Sequence, residues 1–457
     1  MAKDKINSLR DFPSIEEILQ NNKLSKEIEL IPRALAAEIA KMTVAELKRD
    51  FKTGKELTES MILSTIASQI KKQKRKEITK VINATGVVVH TNLGRAPLSE
   101  DIFDEIKKTV IGYGNIEFDL STGKRGKRGE ACEQYLAVLS EAESGAVVNN
   151  CAAALFMILN TFANRKEVVI SRSELVQIGG GFRIPDILKK SGAKLHEVGS
   201  TNITSIKDYE DAISEKTGMI LKVHQSNFIQ KGFVEQASLK ELVALGKKHQ
   251  IPVLNDLGSG VFIPTKKVLG YSEPTVQMSV RDGATLTCFS GDKMLGGCQA
   301  GLIVGKNEAI SKIKKNPLFR AFRADKIQYS ILEKLLSHYL NNSWEENIKL
   351  WKILAFPESE LYKRGKKIQA NVNNPEIAVE ATQAYVGGGA LPESDISSVG
   401  IIFSEKYNPN LLYKKFRELP YPVIGRIDKE RFILDLKSVD EADLFYLEKS
   451  IEQVLSK

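Results

Sequence analysis

Short apolar segments of β type alternate with amphipathic helical segments through the middle of the chain, and this alternation most constrains the fold. Strands that alternate with helices in this way form a mostly parallel sheet covered by helices. The predicted strands are Glu167–Ser171, Lys194–Val198, Gly218–His224, Pro252–Asp256, Thr285–Phe289 and Ala300–Val304. The predicted helices are Phe182–Ser191, Ile206–Ser214 and Ser238–His249. The sequence therefore predicts an α/β fold.

Three polar residues lie at the ends of these predicted strands or just past them. His224 ends one strand, Asp256 ends the next, and Lys293 follows the strand Thr285–Phe289. The carboxyl ends of parallel strands meet in a crevice at one edge of the sheet. We therefore expect the three side chains to lie close together.

Lys293 lies between two predicted strands and has small residues on both sides, including Gly291 and Gly296. A lysine on such a turn is most often an exposed loop residue. Enzymes that use pyridoxal phosphate, however, bind this cofactor covalently through a lysine that the backbone and the substrate approach closely, which glycines allow. Asp256 favours the second interpretation. A carboxylate at the end of a buried strand needs a cationic partner, and the protonated pyridine nitrogen of the cofactor would be one.

A further apolar segment begins at Ala146, ends in Asn149 and Asn150, and is followed by a helix of small residues that starts with Cys151 and Ala152. Small residues at a helix N-terminus expose backbone N–H groups that can bind a phosphate. Asn150 is also a good N-cap, so a plain helix start would explain the same pattern.

Four segments have a distinctive composition. One surrounds Lys293 and extends over Phe289–Gly301. The others are Ile82–Arg95, Gly123–Gly126 and Gly179–Pro185. Together these segments resemble bacterial selenocysteine synthase, the L-seryl-tRNA(Sec) selenium transferase family, and the resemblance covers nearly the whole chain. Two positions differ from the family pattern, which usually has proline at Cys298 and asparagine at Cys151, and neither difference removes a charged group.

The resemblance implies a PLP-dependent aminotransferase-like (fold type I) large domain with a mostly parallel sheet, a helical N-terminal domain and a small α+β C-terminal domain. The corresponding boundaries are residues 1–80, 81–344 and 345–457. It also implies a transferase that uses pyridoxal 5'-phosphate and selenophosphate to convert seryl-tRNA(Sec) to selenocysteinyl-tRNA(Sec), through a dehydroalanyl-tRNA intermediate. The expected assembly is a cytoplasmic homodecamer, a ring of five dimers.

The same resemblance implies roles for individual residues. The expected catalytic residues are Lys293, Asp292, Arg95, Arg320 and Arg323. The expected cofactor contacts are Lys293, Asp256, Cys151, Ala152, His224 and Ser290. No metal ion is expected.

Three arginines could bind an anion, since an ester substrate presents no carboxylate to clamp. Arg95 follows Gly94 and lies two residues before Pro97, so a fixed loop is predicted. Arg320 and Arg323 are three residues apart, so if this segment is helical they would share one face and could bind a phosphate together. A salt-bridged surface helix is the alternative. The resemblance assigns these arginines to selenophosphate or to the tRNA 3′ end.

Residues 1–80 carry 17 Lys and Arg against 12 Asp and Glu, which accounts for +5 of the net charge of +9. Short amphipathic helices are predicted around residues 15–19 and 35–42, and a longer one over Glu59–Lys80, which contains the basic run Lys71–Lys76. Such a run is either a solvated helix end that the helix dipole favours, or a surface that contacts RNA phosphates. The resemblance favours tRNA binding.

The third region of the chain is predicted to begin after a long helix, Asp325–Leu340. Predicted strands are Val399–Phe403, Pro422–Ile427 and Arg431–Leu436, with a loop at Gly387–Gly389 and a closing helix over Asp440–Ser456. This pattern predicts a small α+β domain.

The chain has no run of about 18 apolar residues, so no membrane span is expected. Its first residues lack the apolar core of a signal peptide. The four cysteines have no CxxC spacing and the five histidines have no ligand spacing, which favours a reducing cytoplasm and argues against a zinc site.

Two other functions compete with the transferase. The first is a pyridoxal phosphate-dependent lyase acting on a free amino acid or an amino-sugar acid, and the basic N-terminal region argues against it. The second is a non-enzymatic RNA-binding protein on a decayed enzyme fold. The presence of both Lys293 and Asp256 argues against that interpretation.

Overall fold

The computed structural model describes residues 5–178, 181–387 and 395–456 of the 457-residue chain. The chain divides into two units, Met1–Lys80 and Val81–Lys457. The regions predicted as 81–344 and 345–457 both lie in the second unit, where each contains a sheet of its own.

The first unit is a set of helices around one apolar core. The helices are α1 (Ile15–Gln20), α2 (Ser25–Ile28), α3 (Arg33–Lys52) and α4 (Glu59–Lys74). Ser14 and Thr58 are the N-caps of α1 and α4, and their side chains accept backbone N–H groups that a first helical turn leaves unpaired. Ile62, Ile66 and Ile70 recur at helical spacing and are buried in this core.

Helix α4 ends at Lys74, and the prediction that it continues to Lys80 is wrong. Ile70 is the last residue of the helix that is buried in the core, and residues 74–80 are exposed. A short helix in water is only marginally stable without tertiary packing. The helix therefore ends soon after the last residue that packs in the core.

A seven-stranded sheet forms the centre of the second unit. Its strands are β1 (Ser144–Val148), β2 (Glu167–Ser171), β3 (Lys194–Val198), β4 (Thr217–Val223), β5 (Val253–Gly258), β6 (Leu286–Ser290) and β7 (Gly301–Gly305). Their order across the sheet is β3-β2-β4-β5-β6-β7-β1. Strand β7 is antiparallel to both of its neighbours, and the other neighbours pair in parallel. This mostly parallel sheet confirms the predicted α/β class.

Successive residues of these strands pack in different apolar cores, one on each face of the sheet. Val147 and Leu302 belong to the core on one face of the sheet, whereas Ala146, Cys288 and Ile303 belong to the core on the other. Successive side chains of a strand point to opposite faces, and a strand that is buried on both faces is apolar throughout. This explains why a strand inside the sheet, such as β7, is apolar throughout, whereas β3 at one edge contains Lys194, His196 and Glu197 and is largely exposed.

Helices pack against these cores and against the smaller sheet that follows. They are α5 (Glu100–Ile111), α6 (Glu130–Ser140), α7 (Cys151–Ala163), α8 (Ile184–Lys190), α9 (Ile206–Ala212), α10 (Leu239–His249), α11 (Lys266–Leu269), α12 (Val276–Arg281), α13 (Asn307–Lys315), α14 (Leu318–Ala321), α15 (Lys326–Leu340), α16 (Trp344–Asn347), α17 (Lys349–Ala355), α18 (Glu358–Val372), α19 (Pro409–Arg417) and α20 (Leu444–Leu455). Helix α8 starts at Ile184 instead of the predicted Phe182, with Pro185 in its first turn, where proline costs no hydrogen bond. Within the described ranges, no helix is long and apolar enough to cross a membrane.

The segment from Val81 to Asn92 is mostly irregular. Its strand is Ile82–Asn83, which pairs with Val423–Ile424. Other short strand pairs are Phe118–Asp119 with Lys124–Arg125, Gln177–Ile178 with Phe182–Arg183, and Ile203–Thr204 with Glu235–Gln236. Short 3-10 helices are Leu9–Asp11, Thr91–Leu93, Arg172–Glu174 and Glu441–Asp443.

A four-stranded antiparallel sheet lies in the last part of the chain. Its strands are β8 (Ile377–Tyr385), β9 (Asp395–Phe403), β10 (Arg426–Asp428) and β11 (Arg431–Asp435), in the order β8-β9-β11-β10. The predicted single strand Pro422–Ile427 is two short strands, separated at Gly425. Strand β8 was not predicted, because Gln383 interrupts the apolar alternation that begins with Ile377, Val379 and Ala381. Gly388 and Gly389 of the predicted loop lie outside the described residues.

Candidate active site

A cavity of about 280 Å³ lies at the carboxyl ends of β4 and β5. The predicted site residues that line it are Arg95, Cys151, Ala152, His224, Asp256, Ser290 and Lys293. Cavities of about 870 and 510 Å³ lie elsewhere in the second unit, but the smaller cavity is the one that the predicted site residues line. The three residues expected to converge from strand ends therefore do so.

Lys293 and Asp256 are almost fully buried, with 6% and 7% of their surface exposed. Burial lowers the pKa of Lys293, which favours the neutral, nucleophilic amine. Burial also raises the pKa of Asp256, while the nearby charge of Lys293 acts in the opposite direction. A cation bound against Asp256 would favour its ionised form further. The pair is thus suited to hold a group that carries both an electrophilic carbon and a protonated nitrogen.

The loop that carries Lys293 is fixed by backbone hydrogen bonds. The N–H of Met294 donates to the carbonyl of Ser259 at 3.0 Å, and the N–H of Gly291 donates to the carbonyl of Ala300 at 2.9 Å. Gly258 faces this loop with a φ of +68°, and a Cβ built there would lie 3.8 Å from Nζ of Lys293. The left-handed conformation that glycine adopts without strain lets β5 end close to the lysine.

Two thiols lie against one oxygen of Asp256. Sγ of Cys288 is 3.6 Å from Oδ1, and Sγ of Cys151 is 3.9 Å from the same atom. Cys288 was not predicted as a site residue, because it alternates with Thr287 and Phe289 in a buried strand and therefore has the pattern of an ordinary core residue.

His224 is held by a glutamate that the sequence did not indicate. Nε2 of His224 is 2.9 Å from Oε1 of Glu273, whose side chain is only 4% exposed. The backbone N–H of Glu273 donates to Oγ1 of Thr265 at 2.9 Å, which fixes the glutamate in turn. A carboxylate accepts hydrogen bonds, so this contact places the imidazole proton on Nε2. Glu273 lies in an irregular loop, and no spacing signal in the sequence connects it to His224.

Helix α7 begins at the cavity with Cys151 and Ala152. Oδ1 of Asn150 caps the helix by accepting the N–H of Ala153 at 2.8 Å. Gly301 of the neighbouring strand β7 allows this arrangement, because a Cβ there would lie 2.1 Å from the carbonyl oxygen of Asn150. The helix dipole and the N–H groups of the first turn suit a phosphate. With Lys293, Asp256 and His224, the donor set therefore fits pyridoxal phosphate.

Arg95 connects another part of the chain to the lysine loop. Its Nη1 donates to Oδ2 of Asp292 at 2.6 Å, and the N–H of Ala96 donates to the Asp292 carbonyl at 3.1 Å. The backbone of Arg95 has a φ of 66°, which is rare for a residue with a side chain. An arginine that lines the cavity is thereby fixed next to Lys293.

The model of the family SelA, L-seryl-tRNA selenium transferase, matches residues 81–440. The chain belongs to the L-seryl-tRNA selenium transferase family. A relative from Aquifex aeolicus (strain VF5), named L-seryl-tRNA(Sec) selenium transferase, is 40% identical over 453 residues, which are 98% of this chain and 99% of the relative. A relative of the same name from Carboxydothermus hydrogenoformans is 40% identical over 468 residues, covering 100% of this chain and 99% of the relative.

Membership of the selenium transferase family confirms the resemblance read from the sequence, the transferase class and the pyridoxal phosphate cofactor. Among solved structures, D-glucosaminate-6-phosphate ammonia-lyase has a TM-score of 0.61 at 17% identity, over 82% of this chain and 96% of the lyase chain. At that identity the similarity shows the fold and not the reaction.

The other two arginines predicted from the selenium transferase pattern do not share a helical face. Helix α14 ends at Ala321, so Arg320 lies in the helix and Arg323 lies beyond it. Arg320 is exposed, and Arg323 is 3.1 Å from Oε1 of Glu117. Neither residue is among those that line the cavity. The shared-face prediction is wrong because the helix is a single turn, and the assigned catalytic roles remain predictions.

Two further expectations concern glycines and metals. Gly179 and Gly180 of the segment Gly179–Pro185 lie outside the described residues.

Cysteine spacing argued against a metal site, yet the fold places Cys151, Asp256 and Cys288 with their ligand atoms within 4.8 Å of one another. Spacing in the sequence did not reveal this cluster, because its members come from three separate elements.

Proposed function

We propose that this protein converts seryl-tRNA(Sec) to selenocysteinyl-tRNA(Sec), with selenophosphate as the selenium donor. The observation that carries the proposal is the 40% identity, over nearly the full length, to proteins named for this transfer. The buried Lys293 beside Asp256 supports it, because the pair provides the groups that β-elimination of a seryl hydroxyl requires.

Bound pyridoxal phosphate would supply an electron sink for the charge that develops at the seryl α-carbon. Lys293 would hold the cofactor covalently and, once displaced by the seryl amine, would accept and return the α-proton. Asp256 would hold the pyridine nitrogen protonated. His224, oriented by Glu273, would lie beside the ring, and the first turn of α7 would bind the phosphate.

Arg95 is the arginine placed best for selenophosphate. It lines the cavity and is held by Asp292, whose backbone is adjacent to that of Lys293. Its guanidinium can bind the phosphate oxygens of a donor that adds selenium at the β-carbon. Arg320 and Arg323 are proposed to serve the same anion or the tRNA 3′ end from outside this cavity.

The first unit is proposed to bind tRNA through its basic run. Residues 74–80 are exposed, as are Lys71 and Lys72. Lys71 is 2.9 Å from Glu27 and Lys74 is 2.7 Å from Glu77, so part of the positive charge is balanced within the unit. The remaining excess of positive charge suits binding to the negatively charged phosphate backbone of tRNA.

We further propose that this protein forms a homo-oligomer in the cytoplasm. The family resemblance implies that the homo-oligomer is a ring of dimers. Exposed apolar side chains in one stretch of the second unit support an interface between copies. Ile111, Tyr113 and Leu120 are 78%, 106% and 75% exposed, and Phe118 nearby in the sequence is 49% exposed. Large apolar side chains that are exposed in one stretch of sequence are candidates for protein–protein contacts. Light scattering should therefore give a mass well above 50.7 kDa.

The decisive experiment combines purified protein, seryl-tRNA(Sec) and radiolabelled selenophosphate. Selenium should appear in the aminoacyl-tRNA fraction, and Lys293→Ala should abolish this product. Lys312→Ala, which changes an exposed lysine on α13, should retain it. Turnover of a free amino acid or an amino-sugar acid, with no product from seryl-tRNA(Sec), would support the lyase instead. No observation on this chain favours that second function.

A further inference from the structure

Two cysteines from different elements converge on the carboxylate of Asp256. Cys151 is the first residue of α7, and Cys288 lies within β6. Their sulfur atoms are 3.9 and 3.6 Å from Oδ1 of Asp256, and all three ligand atoms lie within 4.8 Å of one another. Two thiolates and a carboxylate are a ligand set that zinc-class ions prefer.

The distances are close to those around a tetrahedral ion. With Zn–S near 2.3 Å and Zn–O near 2.0 Å, tetrahedral geometry separates sulfur from oxygen by about 3.5 Å and two sulfurs by about 3.8 Å. Both sulfur–oxygen distances are already within about 0.4 Å of this value. The sulfur–sulfur distance needs to shorten by at most about 1 Å, since it does not exceed 4.8 Å.

The surroundings provide two fixed ligands and one adjustable ligand. Cys288 and Asp256 are buried in adjacent parallel strands, which hold their side chains in place. Cys151 is partly exposed and lines the cavity, so its side chain can rotate toward an ion that enters there. A water molecule from the cavity would complete the coordination.

We infer that Cys151, Cys288 and Asp256 bind one thiophilic divalent ion of the zinc class when the cofactor is absent. Two Zn–S bonds form as both thiols release their protons to solvent, and the carboxylate contributes the oxygen ligand. Ion and cofactor exclude each other, because both require the carboxylate of Asp256. The ion site follows from the geometry alone, whereas the exclusion rests on the proposed role of Asp256.

Cobalt(II) is a suitable probe, because thiolate ligation to this ion produces visible absorption. Full-length protein stripped of cofactor should bind one Co²⁺ per chain with a sulfur-to-cobalt band, and Zn²⁺ should abolish the band by displacement. Cys288→Ala and Cys151→Asn should each weaken Co²⁺ binding by about tenfold or more. The second variant keeps a polar residue at the start of α7, so it tests the site even if Cys288→Ala fails to fold.

The matched controls are Cys132→Ala and Cys298→Ala, which remove thiols outside the cluster and should leave the band unchanged. Protein loaded with pyridoxal phosphate should show no band, and Zn²⁺ added to stripped protein should slow the appearance of cofactor absorbance. No sulfur-to-cobalt band, or a band that survives both cluster variants, would overturn the site. Unchanged cofactor loading in the presence of bound Zn²⁺ would overturn the exclusion. None of these measurements uses tRNA or selenophosphate, so their failure is distinct from failure of the proposed function.

Discussion

Arg95 donates a hydrogen bond from Nη1 to Oδ2 of Asp292 at 2.6 Å, across nearly two hundred residues of chain. Asp292 immediately precedes Lys293, and its side chain is 8% exposed against 31% for Arg95. The ion pair therefore connects the anion-binding candidate to the loop that positions the lysine.

Removing one partner of this ion pair should lower the free energy of unfolding. Arg95→Ala leaves the buried carboxylate of Asp292 without its partner, and a fully buried unpaired charge costs about 3–5 kcal/mol. A smaller loss is expected here because Arg95 is partly exposed. The double variant Arg95→Ala/Asp292→Ala should regain part of the lost free energy of unfolding while selenium transfer stays low. Full additivity of the two single changes would show that the pair contributes no coupling.

Asp256→Asn should leave pyridoxal phosphate bound but lower turnover roughly a hundredfold or more, because a neutral amide no longer holds the pyridine nitrogen protonated. Absorbance of the bound cofactor and single-turnover selenium transfer would measure the two effects separately. Asp186→Asn, an exposed position at the start of α8, is the control. Near-normal turnover of Asp256→Asn would remove the residue from the mechanism.

Glu273→Gln should act through His224, since an amide no longer fixes the imidazole proton on Nε2. We expect turnover to fall about tenfold to a hundredfold, the range found for residues that orient a metal-ligating histidine. The absorption spectrum of the bound cofactor should also change, which loss of stability alone would not cause. The exposed Glu235→Gln is the control. An unchanged spectrum and unchanged pH profile would contradict the positioning role.

Neutralising the basic run should weaken tRNA binding and reduce its dependence on salt. The variant changes Lys71, Lys72, Lys74, Arg75 and Lys76 to glutamine. Each lost phosphate contact should reduce the slope of log affinity against log salt by up to about 0.9. The control changes the same number of exposed lysines elsewhere in the first unit, Lys23, Lys26, Lys41, Lys52 and Lys55. Equal effects of the two sets would mean that the run has no special role.

Lys437 should make stability depend on pH in alkaline solution. Burial lowers its pKa from 10.5 to about 8, and its Nζ donates to the carbonyl of Phe356 at 2.8 Å. Between about pH 8 and about pH 10.5 the unfolded chain holds this proton more often than the folded chain, so stability from this group rises with pH across that window. Lys437→Met should flatten the rise of the urea midpoint between these values. Lys414→Met, an exposed lysine on α19, should retain it.

The sequence by itself determined the central sheet and the elements that carry its chemistry. Short, mostly apolar segments locate the buried strands, and βα alternation predicts that most of those strands are parallel. His224, Asp256 and Lys293 could be placed at one edge for this reason, because the end of a strand is a local property and parallel strands end together. The family resemblance rested in the same way on contiguous segments, such as Phe289–Gly301.

Only the tertiary structure decided which distant side chains meet. Cys151 and Cys288 contact the same carboxylate, and Glu273 holds His224, although no spacing in the sequence relates these pairs. Arg320 and Arg323 were expected to act together, but α14 ends between them, and Arg323 forms an ion pair with Glu117. The physical reason is that periodicity reports which face of an element a residue occupies. Contacts between elements depend on how strands are ordered and where helices end, and tertiary packing fixes both.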